Sequence, residues 1–345
     1  MEPILPSPDV WHYRNKMEFS FGHEEERIAL GLHPRKRLWE IVNVKTCEIL
    51  SEEAGLLLEA ARQWAAERNL IAYHSRRNSG ELRHLILREG KNTGQRMVNL
   101  LSTSALGSAD GFLEALLATG ARLDTVLWSR TDGVADVARG EPVSLLCGDG
   151  WIQERIGGLE FKVTPYGFMQ TNTHAAEGMI KKLGEWVGVS ATGPTNGTLV
   201  DVYCGSGLLG LSLARHFGSV AGIEVNPVSI EAARDAAALN GIRNADFVCG
   251  SAEEALPKIL GARDPLGSLT MIVDPPRAGL HKRVIAALVA ARPEALIYVS
   301  CNPASLASDL RALSPYYSVE RLQPMDFYPH TPHIESMTLL SPLPN

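Results

Sequence analysis

From Thr198 onward the sequence alternates short apolar runs with helix-length stretches, a pattern that few folds accept. The runs are Leu199–Tyr203, Val220–Ile223, Ala245–Val248, Leu269–Val273 and Ala295–Val299. Continuously apolar strands separated by helices call for a parallel sheet covered on both faces. After a helix over 304–313, two more runs, Val319–Leu322 and Ile334–Leu340, lie close in sequence and predict an antiparallel pair at one edge. The expected fold is α/β: Rossmann-like, doubly wound, mostly parallel with an antiparallel edge. In such sheets ligands bind at the carboxyl ends of the strands. The fourth run ends there in Asp274-Pro275-Pro276-Arg277 and the fifth in Ser300-Cys301-Asn302-Pro303. A carboxylate, an arginine and a thiol would face one crevice.

Upstream the pattern differs. Met17–Phe21, Ile28–Leu32, Trp39–Val44, Leu82–Leu87, Arg96–Leu101, Leu123–Ser129 and Gly158–Val163 read as short strands. Ser51 predicts a capped helix running to Glu67, and Ala109–Thr119 a second one closed by Gly120. Residues 1–163 therefore read as an α+β domain. Residues 164–197 form a connecting segment, in which Thr173 caps a helix to about Val187 and Gly188–Gly197 is a loop. Residues 198–345 form the α/β domain.

Composition narrows the function classes. No apolar run approaches the ~18 residues that cross a bilayer, and Met1–Val10 has no signal-peptide pattern. Five scattered cysteines suit a reducing cytoplasm better than a disulfide framework. The chain is read as a cytoplasmic monomer with no membrane contact. The net charge of −6 means that a nucleic acid would have to meet a local basic patch. Arg14 and Lys16, Arg35–Arg37, and Arg76 with Arg77 offer such groups. Taken alone, they read as ordinary solvated charges.

Asp201-Val-Tyr-Cys-Gly-Ser-Gly-Leu-Leu-Gly210 follows the first α/β strand and opens a helix. Gly205 and Gly207 allow a ligand close to the backbone, and Glu224, ending the next strand, can accept bonds from ribose hydroxyls. The same glycines satisfy the dinucleotide fingerprint, so a nicotinamide-dependent oxidoreductase is one reading. Two features favour S-adenosylmethionine instead. Asp201 would repel a pyrophosphate but suits a ligand with a cationic end, and a dehydrogenase has no need of Asp274-Pro-Pro-Arg277.

Methylating an amine needs no covalent help, and amine methyltransferases often place an aromatic residue after Asp-Pro-Pro, where this chain has Arg277. Carbon 5 of uracil is a poor nucleophile until a thiolate adds to carbon 6; a base must later remove the carbon-5 proton. Cys301 suits the first role, since the helix beginning at Asn302-Pro303 favours its thiolate. Cys204 is the rival thiol, while Cys47, Cys147 and Cys249 read as inert. For the base, Glu335, His330 and His333 are all candidates in the segment Asp326–Glu335.

These residues together resemble the RNA uracil-5 methyltransferases, class I S-adenosylmethionine-dependent enzymes that make 5-methyluridine in tRNA or large-subunit ribosomal RNA. The resemblance runs through Tyr13-Arg-Asn-Lys-Met-Glu-Phe19, Phe168-Met-Gln-Thr-Asn172, Asp201–Gly207, Val273–Gly279, Val299–Pro303 and His330–Glu335. It implies that Cys301 is the nucleophile and Glu335 the proton acceptor. It implies that Gln170, Tyr203, Glu224 and Asp274 line the pocket for donor and uracil, beside Arg277. The target uridine would be flipped out of its RNA into that pocket. The N-terminal domain, with Arg14 and Lys16, would grip the RNA. Three departures stand out. Many relatives carry an N-terminal β-barrel, and only twelve residues precede Tyr13 here. Many hold an iron–sulfur cluster on four cysteines, of which Cys47 resembles the last; one cysteine cannot hold a cluster, so none is expected. Leu208 stands where relatives often have Asn, and Ser251 replaces a more usual donor-binding residue. Besides the enzyme and the oxidoreductase, a catalytically impaired RNA-binding relative is the other reading.

Overall fold

The computed structural model describes residues 1–25, 27–37, 40–187, 195–262 and 268–344. The chain divides into two compact units. One comprises Asp9–Glu154 and Lys162–Tyr166; the other comprises Met1–Pro8, Arg155–Phe161 and Gly167–Asn345.

In the first unit, Met17, Phe19 and Phe21 recur at every second position, so β1 (Lys16–Glu24) buries one apolar face. It is followed by β2 (Arg27–Leu32), the two-residue β3 (Val42–Asn43) and α1 (Glu53–Glu67). Next come β4 (Leu82–Glu89), β5 (Arg96–Ser102), α2 (Phe112–Leu117), β6 (Thr125–Arg130) and β7 (Glu141–Cys147). Among the described residues these strands form a sheet in the order β3-β2-β1-β4-β5-β6-β7. The pairing is antiparallel except between β5 and β6. Leu57, Leu58, Ala61 and Trp64 of α1 pack on the face bearing Phe19 and Phe21.

Several local expectations need correcting. Ser51 does not cap α1; its hydroxyl donates to Glu89 instead. The second helix is shorter than expected, because Gly111 at φ 72° precedes its first residue. The strand expected over 39–44 leaves only β3 among the described residues, and Trp39 lies outside them. The largely exposed β7 had no clear sequence signal: it is an edge strand carrying Pro142, and proline argues against a strand assignment. A further strand, β8 (Ile152–Ile156), pairs with β9 (Leu159–Val163).

The second unit begins its regular structure at α3 (Thr173–Trp186). Asn172, not Thr173, caps this helix, its side chain accepting from the Ala175 amide at 3.0 Å. The loop expected over 188–197 lies outside the described residues as far as 194, and from Thr195 the chain is already in strand. Then follow β10 (Thr195–Val202), α4 (Leu208–Leu213), β11 (Phe217–Glu224), α5 (Pro227–Leu239), β12 (Ala245–Cys249) and α6 (Ala252–Ala262). β13 (Leu269–Val273), α7 (Lys282–Ala291), β14 (Ala295–Ser300), α8 (Pro303–Leu313), β15 (Tyr317–Met325) and β16 (Glu335–Pro342) complete the unit. The sheet order is β12-β11-β10-β13-β14-β16-β15. The first five strands run parallel, and β16 and β15 form the antiparallel edge. This is a Rossmann-like fold with an antiparallel edge. Strand order reverses at β10, so the ends of β10 and β13 flank the switch point where such sheets bind ligands.

The expected first domain ended at residue 163 and began at residue 1, whereas residues 1–8 belong to the second unit. Their backbone explains it. The Glu2 and Leu5 amides donate to Leu322 and Pro324 carbonyls at 2.8 and 2.9 Å, and Asp326 donates back to Leu5 at 2.9 Å.

Candidate active site

Strand register assembles the site from distant stretches of sequence. Asp274 follows the last residue of β13, and its amide donates to the Val202 carbonyl of β10 at 3.2 Å. In the β14–β16 ladder Val299 faces Met337 and Ser300 faces Ser336. The ladder ends there, Cys301 follows β14 directly and Glu335 opens β16, and the Glu335 charge acts on the Cys301 thiol. Gln170 reaches the same place, its amide donating to Asp274 at 3.4 Å. Arg277 leaves the Asp-Pro-Pro turn, and its carbonyl accepts from the Asn302 side chain at 2.9 Å. The other Asn302 side-chain atom caps α8 through Ala304 at 3.1 Å, so this one residue joins the Arg277 turn to the segment bearing Cys301. Neither Asn302 nor its role had been singled out from sequence.

A small recess of about 20 Å³ lies at the β10 and β13 ends, lined by Phe168, Gln170, Asp201, Tyr203 and Asp274 among others. The loop after β10 bends sharply, with Tyr203, Gly205 and Gly207 at φ 67°, 55° and 80°. Gly205 donates to Glu224 at 3.3 Å, and Glu224 also accepts from Asn226 at 2.8 Å, which fixes that carboxylate at the end of β11. A side chain on Gly207 would meet Leu211, Ala233 and Phe247 at 3.1–3.2 Å, so this glycine makes room for packing on the protein side of the loop. Phe168 is 57% exposed beside the recess. In the sequence Phe168 stands in a stretch that carries the family resemblance but has no role of its own; the available signal is an aromatic residue two positions before Gln170.

The electrostatics are dominated by carboxylates. Burial pushes Asp201 up to about 7, partly opposed by the amide of Gly210, with Glu224 adding to the rise. Burial, then the charge of Asp201, pushes Asp274 up to about 7. Burial, then Asp274, pushes Glu335 up to about 9. The site therefore holds several acids that ionise reluctantly unless a cation joins them. Such a site fits a cationic ligand. Asp201 is also fully used as a fixture, accepting from Gly210 at 2.8 Å.

Cys301 departs from expectation in one respect. α8 does start just after it, but the thiol is raised above its ordinary value, not lowered. Burial is the main cause, Glu335 and Asp274 add to it, and Arg277 opposes it. Cys204 is less suited still: it is buried, and burial, Asp201 and Glu224 push its thiol far up. Of the alternative bases, His330 and His333 are exposed, and His333 lies 3.1 Å from the Arg277 guanidinium.

The structure thus brings Gln170, Tyr203, Gly205, Glu224, Asp274, Arg277, Cys301 and Glu335 to one end of one sheet. Arg14 and Lys16 belong to the other unit. There Arg14 donates to the Lys16 carbonyl at 2.9 Å, and the Lys16 ammonium pairs with Glu18 at 2.6 Å. Burial, then Arg88, lowers Lys16 from its ordinary value. Arg35, Lys36, Arg37, Arg76 and Arg77 are exposed. Among the described residues no group of three or more His, Cys, Asp or Glu side chains is arranged to hold a metal ion. Nor is any described helix long and apolar enough to cross a membrane.

Comparison with known proteins gives concordant matches. The family model described as tRNA (uracil-5-)-methyltransferase matches residues 137–342. An RNA methyltransferase of Caldanaerobacter subterraneus subsp. tengcongensis, itself uncharacterised, is 34% identical over 342 residues, covering 98% of this chain and 74% of that protein. One from Clostridium tetani is 33% identical over 341 residues, covering 97% and 73%. Among solved structures, the Pyrococcus abyssi tRNA (uracil-54, C5)-methyltransferase in complex with S-adenosyl-L-homocysteine matches with a TM-score of 0.80 and 29% identity. That match covers 98% of this chain and 78% of the archaeal one.

Proposed function

The chain belongs to the tRNA (uracil-5-)-methyltransferase family, and on that premise we propose that it methylates carbon 5 of uridine in RNA through a covalent adduct of Cys301. It is an S-adenosylmethionine-dependent RNA methyltransferase. The observation that carries the mechanism is that Cys301 and Glu335 flank the last pair of the β14–β16 ladder, Ser300 with Ser336, with Glu335, Asp274 and Arg277 all acting on the one thiol. The rival Cys204 has carboxylates but no arginine acting on its thiol.

When bound, the donor supplies an electrophilic methyl group on a cationic sulfonium, which carbon 5 accepts. The protein's residues do the rest. Asp201, Glu224 and Asp274 give the recess its negative character, and the positive charge of the donor draws the raised carboxyls and the Cys301 thiol toward their ionised forms. Gln170, bonded to Asp274, orients that carboxylate. Phe168 offers an exposed aromatic face on which an unstacked base can lie. The Cys301 sulfur adds to carbon 6 of the uracil, and Arg277 favours the thiolate form that attacks. After methylation, Glu335 in its ionised form takes the carbon-5 proton. The carbon–sulfur bond then breaks, carbons 5 and 6 regain their double bond, and the thiolate leaves. Glu335 later releases the proton to solvent.

The substrate class is tRNA or large-subunit ribosomal RNA. The first unit supplies the RNA contacts, for which the exposed cations at 35–37 and 76–77 are better placed than the largely buried Lys16. The working form is a monomer in the cytoplasm, a compartment that the five free cysteines support.

The test is methyl transfer from labelled S-adenosylmethionine into tRNA and into ribosomal RNA, followed by nucleoside analysis. Label in 5-methyluridine is expected. Label in another nucleoside would overturn the assignment, and no label despite donor binding would favour an impaired RNA binder. Binding of NAD but not of S-adenosylmethionine would return the oxidoreductase reading.

A further inference from the structure

Asp309 lies in the middle of α8 and is only 8% exposed. A buried carboxylate costs folding free energy unless its lone pairs are used. One of its oxygens accepts two bonds, from the Tyr298 hydroxyl at 2.7 Å and from the Leu280 amide at 2.8 Å. These partners come from the two segments that the site chemistry needs. Tyr298 is fully buried in β14, three residues before Cys301, and its ladder neighbours are Val273 and Thr338. Leu280 closes the turn that carries Asp274 and Arg277, where the Gly279 amide bonds the Pro276 carbonyl at 2.8 Å. The approach is so close that a side chain on Gly279, which has φ +85°, would come within 2.6 Å of the Asp309 oxygen. A glycine is thus required at the turn for the carboxylate to reach it. The hydrogen bonds of Asp309 go to Tyr298 and Leu280 and not to a group assigned to chemistry, although its charge also acts on Tyr203.

We propose that Asp309 is a positioning residue: by joining Tyr298 to Leu280 it fixes the Asp274–Gly279 turn, and so Arg277, against the strand end that bears Cys301. Asn302 makes the second, outer fastening, through the Arg277 carbonyl. If the inner fastening is lost, the Asp274 end of the turn keeps its bonds to Val202 and Gln170 and the Arg277 end keeps Asn302 and the exposed His333, but the Gly279–Leu280 end is released, and Arg277 loses its fixed place beside the thiol. This rests on the reading of Cys301 as the nucleophile, but its physical content can be measured without turnover.

The experiment uses the full chain with Asp309→Leu, Asp309→Asn and Tyr298→Phe. The first readout is alkylation of Cys301 by iodoacetamide as a function of pH, followed on the Cys301 peptide by mass spectrometry. Arg277 favours the thiolate, so Asp309→Leu should shift the profile upward by about half a pH unit or more. Asp309→Asn should stay near wild type, because an amide oxygen can accept both bonds. The second readout is turnover on RNA. Asp309→Leu should lose on the order of tenfold or more in kcat, with the KM for RNA and the donor Kd within about twofold. Tyr298→Phe removes one bond and should move both readouts the same way by about threefold. Should Asp309→Leu not fold, Tyr298→Phe decides. A wild-type alkylation profile and kcat in a folded Asp309→Leu or Tyr298→Phe variant would overturn the proposal. So would a loss of donor affinity matching the loss of kcat. A wild-type enzyme that alkylates as expected but makes no 5-methyluridine would instead count against the proposed function.

Discussion

In the proposed mechanism Cys301 and Glu335 face the same difficulty: each would have to be ionised to act, and each sits where ionisation is disfavoured. Burial raises both, and Asp274 raises both further. The missing positive charge is the one a sulfonium donor brings. Alkylation of Cys301 near pH 7 should therefore quicken by several-fold when S-adenosylmethionine is added and should not quicken with S-adenosylhomocysteine, whose sulfur is neutral. Equal effects of the two would show that the donor's charge does not activate the thiol. Cys301 was a candidate from sequence because strand ends mark the crevice, whereas only the family resemblance set Glu335 apart from His330 and His333. The electrostatic state of Cys301 and Glu335 was not legible there, because it depends on Asp274 and Glu335, which reach Cys301 only through the sheet. From sequence alone the helix start beside Cys301 predicted a lowered thiol, and nearby burial outweighs it.

Elements of this fold were legible in proportion to their burial. β10, β13 and β14 are buried parallel strands and stood out as apolar runs, and the edge strand β12, in which only Phe247 is buried, was legible through the β/α alternation; the edge strand β7, with Pro142 and exposed side chains, gave no such signal. Helix caps were misassigned where a neighbour outside the helix competes. Ser51 is taken by Glu89, and Asn172 displaces Thr173 because its side chain serves three partners at once. Its amide donates to Ser7 at 3.0 Å and to the Phe327 carbonyl at 2.9 Å while its oxygen caps α3. Asn172→Ala should therefore cost more than a surface cap, roughly 2 kcal/mol, since buried partners are left unmatched. Chemical denaturation checks this; a loss under about 0.5 kcal/mol, the range of an ordinary surface change, would contradict it.

At the scale of the whole molecule, the acids of the site leave a mark on stability. Asp201, Asp274 and Glu335 have folded values above the ordinary carboxylate value. Between that value and about 7 to 9 the folded chain keeps protons that the unfolded chain has released, so rising pH favours unfolding. Their stabilising contribution is full below the unfolded value and is lost as pH climbs through the folded ones. Asp136, held low chiefly by its bond with His84, works the other way and loses its contribution as pH falls. The melting temperature without donor should decline from pH 6 to pH 9, and Glu335→Gln should flatten the upper part of that decline. A flat profile would argue against the buried-acid site. The central claim, that Cys301 adds to carbon 6 of uracil, meets its most direct test with RNA carrying 5-fluorouridine, because fluorine at carbon 5 cannot leave as a proton. With protein and S-adenosylmethionine, the account predicts a covalent protein–RNA species on a denaturing gel that is absent in Cys301→Ala. An adduct that persists in Cys301→Ala, or active methyl transfer to uridine with no adduct at all, would contradict it.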